Sequence, residues 1–505
     1  MCAFVKGEPS VRVSVVGLGY VGLVTSACLA EQGHDVVGIE VSSARIEALL
    51  DGRMPFHEPG LAELVQANRE VGRLTFTADP AAISQADVVF VAVGTHDGNG
   101  GWQTRTIQSC LNDIVPRLAD DAALVIRSTL PPWFLAHLPI IVGRMRQEAG
   151  LGEVPVLLNP EFTKEGTAVQ DFLEPERVVL GIAHDVDGRG AARLRRLYRG
   201  MSAPILEMSA TDAALSKLGA NLFLATKISF ANELAQLCDQ YGGNVDQVVG
   251  AMAYDHRIGG AFLRAGIGFG GSCLPHQVTM TVATAAESGV PTPLFAAVAE
   301  VNLRQRERMI DRLAGLLGGS VAGARIALLG VTFKPDTDDL RDAPSIHIAT
   351  RLIEEGATVV AFDPMTNALE RFAALVPGVR VASSVEIALD DADAAALVTE
   401  WGVFRQLDWV DAASRMRRPI MVDGRNALSV VELVDAGFAY ASFGRGIRGQ
   451  TDVPVTAPLV TAVEAEATGA PTSHETPAID ASATEGSPSE RHRSGTSDLD
   501  LALTD

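Results

Sequence analysis

The stretch Gly268-Phe269-Gly270-Gly271-Ser272-Cys273-Leu274-Pro275 sets one cysteine among glycines. Glycines there let backbone and substrate approach closely, and a thiol so placed attacks a carbonyl, best as its thiolate. Taken alone, a single cysteine is more often a small buried hydrophobe. A second pattern, Gly17-Leu18-Gly19-Tyr20-Val21-Gly22, follows the apolar run Val11–Val16 and precedes a helical stretch. The glycines admit a pyrophosphate to a helix N-terminus. Glu40, 23 residues after Gly17, ends the next strand, where its carboxylate accepts bonds from ribose hydroxyls. A 2′-phosphate would be repelled there, so Gly17, Gly19, Tyr20, Val21, Gly22 and Glu40 predict NAD rather than NADP; Arg45 weakens that preference only slightly.

These groups need a scaffold, and the apolar runs supply one. After Val11–Val16 come a helix at Val21–Gln32 and strands at Asp35–Glu40, Val88–Val93, Leu124–Arg127 and Val154–Asn159. Strands alternating with helices indicate βαβ units and a parallel sheet. Asp212 to Tyr241 has few breakers and predicts a helix of roughly 30 residues, about 45 Å at 1.5 Å per residue, long enough to join two domains and to carry a dimer interface. A second βαβ pattern begins at Arg325–Gly330, without GxGxxG, with a helix near Ser345–Glu355 and strands at Thr358–Asp363, Ala394–Thr399 and Pro419–Asp423. The expected fold is α/β: two Rossmann-like doubly wound domains (1–205 and 311–450) joined through a helical segment (206–310). From Val455 to Asp505, nine acidic residues stand against two arginines in a Pro-, Thr-, Ser- and Ala-rich context. Such a segment buries too little apolar surface to offset chain entropy, so 451–505 is expected to be a disordered acidic tail.

Composition narrows the classes further. A chain of 505 residues that is 47% hydrophobic supports two or three substantial cores. The net charge of −21 disfavours nucleic acid, which needs a basic surface, although local arginines and helix N-termini can still hold one anionic nucleotide. No apolar run reaches the roughly 18–20 residues that span a bilayer, and no signal-peptide pattern opens the chain. Cys2, Cys28, Cys110, Cys238 and Cys273 are odd in number and widely spaced, which argues against a disulfide framework or a zinc site. The expected compartment is reducing cytoplasm, and no metal is expected.

From about residue 10 to 450 the chain closely resembles the UDP-glucose/GDP-mannose dehydrogenase family. The matches run in order: Gly17–Gly22; Glu58-Pro59-Gly60-Leu61; Ser128-Thr129; Asn159-Pro160-Glu161-Phe162 with Glu165-Gly166; Lys217 with Asn221; Asp255-His256-Arg257-Ile258-Gly259; the Cys273 loop; Phe333-Lys334-Pro335 with Thr337-Asp338-Asp339-Leu340-Arg341; Thr399-Glu400-Trp401; and Asp423-Gly424-Arg425-Asn426. The resemblance implies NAD-dependent oxidation of a sugar C6 alcohol to the acid through a thiohemiacetal and thioester on Cys273. Lys217 and Asn221, spaced i,i+4, share a helix face and would stabilise an oxyanion at C6. Glu161 and Thr129 are implied as acid/base and water-positioning groups, Glu161 with a pKa raised by burial. Thr95, Thr129 and Glu165 are implied at the cofactor. Glu161, Phe162, Lys217, Asn221, Arg257, Gly270, Lys334 and Arg425 are implied at the nucleotide sugar, with Arg257 reaching a neighbouring subunit of a homodimer or larger homo-oligomer. Gly-Gly-Ser-Cys is closer to the UDP-glucose and GDP-mannose branch than to the N-acetylmannosamine branch.

The chain departs from the family in three places. His276-Gln277 stands where the family has lysine and aspartate, and glutamine cannot take a proton or carry negative charge. His96, with Gly98–Gln103, departs from the family's loop after Val93. Pro131-Pro132-Trp133 is unusual after Thr129. Two other readings therefore stand beside oxidation of UDP-glucose: a diverged relative acting on a modified or GDP-linked sugar or stopping at the aldehyde, and a catalytically weak nucleotide-sugar-binding protein.

Overall fold

Short β-branched runs become the strands of two parallel-dominated sheets in the computed structural model, which describes residues 10–95 and 101–449. The first sheet holds β1 (Arg12–Val16), β2 (Asp35–Ile39), β3 (Leu74–Thr77), β4 (Val88–Val91), β5 (Ala123–Ile126), β6 (Val156–Leu158), β7 (Val178–His184) and β8 (Ile205–Ser209). Their order is β3-β2-β1-β4-β5-β6-β7-β8, parallel throughout except between β6 and β7. The second sheet holds β9 (Arg325–Leu329), β10 (Thr358–Phe362), β11 (Arg380–Val381), β12 (Ala394–Leu397), β13 (Ile420–Asp423), β14 (Ala439–Ser442) and β15 (Ile447–Arg448). Its order is β11-β10-β9-β12-β13-β14-β15, with only β15 antiparallel. In each sheet the strand order reverses beside the first strand, the place where open α/β sheets bind ligands. Separate apolar cores cover the two faces of each sheet. This is the expected two-domain Rossmann-like architecture.

Among the described residues, six strands lie beyond the expected set: β3, β7 and β14, of which β7 carries the buried apolar run Val178–Leu180, and three with little apolar burial. β8 is half-exposed along its length, and β11 and β15 are exposed two-residue edges. The expected tail 451–505, Cys2 and the loop residues His96, Gly98, Asn99 and Gly100 lie outside the described residues.

The long helix runs Ala210–Tyr241, two residues earlier than the periodicity suggests. Ser209 caps its N-terminus by accepting from the Asp212 N–H, and Gly242 ends it in the left-handed region. Its start lies so close to β7 that a Cβ on Gly181 would stand 2.7 Å from the Ala213 Cβ. The buried face carries mostly small residues, with Lys217 and Asn221 among them, whereas Phe223, Phe230, Leu237 and Tyr241 face outward.

The glycine-rich turn after β1 has the shape a dinucleotide needs. Gly17 takes φ +91°, and a Cβ on Gly22 would stand 1.8 Å from the Gly17 carbonyl oxygen, whereas a Cβ on Gly19 would meet open space. Overpacking of this kind costs about 1–3 kcal/mol. Gly22→Ala is therefore expected to lower stability in chemical denaturation by about that amount and to weaken binding in an NAD titration.

Candidate active site

Three segments deliver the reactive groups. The loop after β6 begins at Asn159, whose side chain donates to the Val179 carbonyl at 2.9 Å and accepts from buried Arg127 at 2.5 Å. Arg127 is itself held by Thr25 and lies against the rings of Phe90 and Phe172. That anchoring aims Glu161 at the long helix, where Lys217 Nζ donates to Glu161 Oε1 at 3.1 Å with side chains only 6% and 10% exposed. The Thr163 N–H and hydroxyl donate to Glu161 Oε2 at 2.7 and 2.5 Å. One turn along the helix, buried Asn221 donates to the Oε1 of buried Gln277 at 2.9 Å.

The third segment brings Cys273, the N-cap residue of the helix Leu274–Glu287. A helix N-terminus favours negative charge, which helps a thiolate. Cys273 remains exposed to solvent, yet its thiol sits among protein atoms. Loss of water and the nearby Glu161 push the thiol up, while Lys217 and the Ser272 hydroxyl, 3.6 Å from Sγ, act the other way. Burial also opposes charge on Glu161, but Lys217, Thr163 and Arg127 outweigh it and hold the carboxyl below its ordinary range. The raised pKa expected for Glu161 is thus corrected: a partnered ammonium overrides desolvation.

The second sheet closes over these segments. Arg425 donates to the carbonyls of Val398 at 2.6 Å, Gly268 at 2.9 Å and Phe333 at 3.0 Å, so it ties the cysteine loop to two loops of that sheet. Asp423 sets its position by accepting from the N–H groups of Arg425, Ala427 and Leu428. Lys334 Nζ donates to the Glu165 carbonyl, and Arg341 pairs with the Glu165 carboxylate at 2.9 Å. Arg425 also lines a cavity of about 290 Å³ with Arg264, Arg405, Arg445 and Asp246. Arg445, like Arg425, spends its nitrogens within the protein, on Asp246, Tyr440 and the carbonyls of Leu428 and Asn426, so it is the summed positive charge around one opening that suits a phosphate. At the first sheet, Glu40 accepts from the Leu18 N–H at 3.0 Å and pairs with Arg45 at 3.1 Å. Glu58 accepts from the Tyr20 hydroxyl and from the N–H groups of Gly166 and Ala168, joining the glycine-rich turn to the Glu161–Glu165 loop.

Comparison with known proteins covers most of the chain. Models of the UDP-glucose/GDP-mannose dehydrogenase family match its NAD binding domain at residues 11–202, its central domain at 211–304 and its UDP binding domain at 327–430. The chain belongs to the UDP-glucose/GDP-mannose dehydrogenase family. It is an NAD-dependent nucleotide-sugar dehydrogenase. A UDP-glucose 6-dehydrogenase of Rhizobium meliloti is 38% identical over 86% of this chain and 99% of its own. The UDP-glucose 6-dehydrogenase TuaD of Bacillus subtilis is 38% identical over 87% and 94%. A UDP-glucose dehydrogenase from Pyrobaculum islandicum superposes with a TM-score of 0.77 at 34% identity, covering 85% of this chain and 97% of that one.

Of the expected residues, Glu161 pairs with Lys217, both act electrostatically on the Cys273 thiol, and Asn221 stands one turn along the same helix; the Phe162 ring centre lies 5.3 Å from Lys217 and 3.8 Å from Arg177. Other expected residues do something different. Arg257 is exposed and pairs with Asp255 at 2.6 Å, outside the site of its own chain. Thr95 donates its hydroxyl to the Thr129 carbonyl at 2.7 Å, tying two loops together. A Cβ on Gly270 would stand 2.5 Å from the Asp342 carbonyl oxygen, and one on Gly271 2.8 Å from the Phe333 ring. The loop's glycines therefore serve packing against the second sheet more than substrate access. Lys334 is largely taken up by the Glu165 carbonyl, and burial lowers its pKa.

Two of the departures also find physical reasons. Pro131 and Pro132 occupy the N-cap and first turn of the helix Pro132–Glu148, where proline's missing N–H costs nothing. Trp102 donates to Thr284 on the cysteine helix at 3.0 Å. Thr163, Arg177 and the cavity arginines Arg264, Arg405 and Arg445 had no signal in the sequence beyond, for Thr163, a hydroxyl two residues after a carboxylate.

Because the folded pKa of Glu161 is lowered, its pair with Lys217 stabilises the fold above the ordinary carboxylate range, and that stabilisation is lost as pH falls through the depressed value. Removing one partner of a buried pair costs about 3–5 kcal/mol. Lys217→Met is expected to lose stability of that order at about pH 7 and to lose less than the wild type on further acidification to about pH 4, both read by urea unfolding.

Proposed function

We propose that the chain oxidises the C6 hydroxyl of UDP-glucose to the carboxylate of UDP-glucuronate, using Cys273 as the covalent nucleophile. The observation that carries this reading is the convergence of an N-cap thiol, the Glu161–Lys217 pair and the Asn221 amide. The turn at Gly17–Gly22 with Glu40 fits NAD: the site is tight where glycine allows chain packing, open at Gly19, and has a carboxylate at the end of β2. NAD held there would supply the hydride acceptor for C6 in both oxidations.

The chain's own residues do the rest. Lys217 Nζ and the Asn221 amide donate to the C6 oxygen as negative charge develops there. Cys273 Sγ attacks the aldehyde carbon to give the thiohemiacetal, which prevents release of the aldehyde. After the second hydride transfer, water hydrolyses the thioester and frees the thiolate. Glu161, charged in the resting site, accepts a hydrogen bond from that water and orients it, with Thr129 helping to place it, and the departing thiolate, the stronger base, takes up the water's proton. Gly17, Gly19, Tyr20, Val21, Gly22, Glu40, Arg45, Thr95, Thr129 and Glu165 form the proposed cofactor side. Arg264, Arg405, Arg425 and Arg445 supply a diphosphate cradle, with Lys334 nearby.

The neutral contact between Asn221 and Gln277 favours one second reading, in which oxidation stops at the aldehyde. Counting NADH separates the two. Purified protein with NAD and UDP-glucose is expected to form two NADH per sugar consumed, and Cys273→Ala is expected to abolish that turnover. One NADH with released aldehyde would establish the shorter reaction. No turnover with UDP-glucose and the same two-NADH result with a GDP-linked sugar would move the substrate assignment.

We further propose that the chain works as a homodimer. Phe223, Phe230, Leu237 and Tyr241 recur at helical spacing on the outward face of the long helix, while its inward face carries small residues. A second copy laid along this stripe would bury it and would let the exposed Arg257 reach a neighbouring site. Phe230→Asp with Leu237→Asp is expected to halve the mass measured by light scattering. An unchanged mass would overturn this interface.

A further inference from the structure

Glu165 reaches the reactive cysteine through one hydroxyl. Ser272 Oγ lies 3.6 Å from Cys273 Sγ and donates to Glu165 Oε1 at 3.4 Å. Oε1 also receives Arg341 at 2.9 Å, whereas Oε2 is buried without a partner. The groups facing this carboxyl are Asp339, Arg341 and Lys334 from the segment after β9, Tyr20 from the first helix, and Ser272 with Cys273. Burial, followed by the neighbouring Asp339, pushes Glu165 up to about 8, with Arg341 and Lys334 opposing. Arg341 holds Asp339 as the charged member of that pair.

The other groups near the thiol are poor acceptors for its proton. Glu161 is held as a carboxylate below its ordinary range, and transfer to it would break a nearly dry ion pair. Gln277 is an amide with no basic site. Proton transfer is most effective between groups of similar affinity near the working pH, a condition that Glu165 approaches and Glu161 does not.

We propose that Glu165 is the proton acceptor for Cys273, reached through the Ser272 hydroxyl. The inference rests on the reading of Cys273 as nucleophile. In the step, the S–H bond breaks and its proton passes to Ser272 Oγ as Ser272 gives its own proton to the Glu165 carboxylate. The sulfur electron pair then forms the C–S bond at C6, and the aldehyde π pair moves onto oxygen beside Lys217 and Asn221. No electrons are exchanged with an outside partner in this step.

The test is the rate at which iodoacetamide alkylates Cys273 in the intact protein, followed by peptide mass against pH from about 6 to about 10. The wild-type rate is expected to rise with an ascending limb near the Glu165 value. Ser272→Ala, which leaves the carboxyl in place, is expected to slow alkylation about a hundredfold, the lower end of what general-base assistance supplies, and Ser272→Thr to restore it. Glu165→Gln distinguishes a relay from a charge effect. As a mere negative charge, Glu165 raises the thiol, so its removal would speed alkylation. As proton acceptor, its removal slows alkylation and moves the limb upward. Equal or faster alkylation in Glu165→Gln, or an unchanged rate in Ser272→Ala, overturns the proposal. Thermal unfolding and NAD titration of each variant show whether the fold and the cofactor site persist. Retained two-NADH turnover in Cys273→Ala would instead overturn the nucleophile reading itself, a result separate from the alkylation rates.

Discussion

The Glu161–Lys217 ion pair is the constraint on which the site depends. Two charges with side chains 10% and 6% exposed join the loop after β6 to the long helix. Each charge is tolerable only because the other is present. The pair sets the distance between sheet and helix, and its net electrostatics explain why a buried glutamate stays ionised. Everything that supports it works toward the same end: Arg127 and Asn159 beneath the loop, Thr163 beside the carboxylate, and the Phe162 ring near both Lys217 and Arg177.

A second set of contacts makes the site a product of both sheets. Arg425 links the cysteine loop to two loops of the second sheet, Lys334 and Arg341 reach the Glu165 segment, and the Asp338 carboxylate accepts from the His57 N–H at 3.0 Å. Asp338 is buried and also pairs with Arg371, so this link is braced within the second sheet's own chain. The Thr399-Glu400-Trp401 match belongs to the same bracing. Thr399 donates to the Thr332 carbonyl, and the Trp401 indole N–H lies 3.2 Å from both the Thr332 hydroxyl and Asp363. These residues support the loop that carries Phe333 and Lys334 and have no direct place among the reacting groups.

The contrast between cysteines shows how environment assigns chemistry. Cys28 is buried on the first helix, and desolvation pushes its thiol far up. Cys110 is raised to about 12 by the same cause. Burial and Glu161 raise the Cys273 thiol as well, but it alone among the described cysteines is exposed, stands at a helix N-cap and has an ammonium and a hydroxyl opposing that rise.

Much of this was legible in the chain itself. Apolar runs of strand length alternating with helical stretches determine the α/β class, because a strand buried on both faces must be apolar throughout. The GxGxxG turn, Glu40 and the solitary cysteine among glycines are local patterns whose spacing already specifies what they can bind or attack. The long helix was readable from the lack of breakers, and only its cap at Ser209 moved the start. Tertiary structure alone decided the rest. The depressed Glu161, the raised Glu165, the partnership of Asn221 with Gln277 and the four-arginine cavity depend on groups brought together from distant parts of the chain. Local sequence carries propensity and periodicity, whereas a proton's affinity is set by whatever charges and surfaces the fold places within a few ångströms.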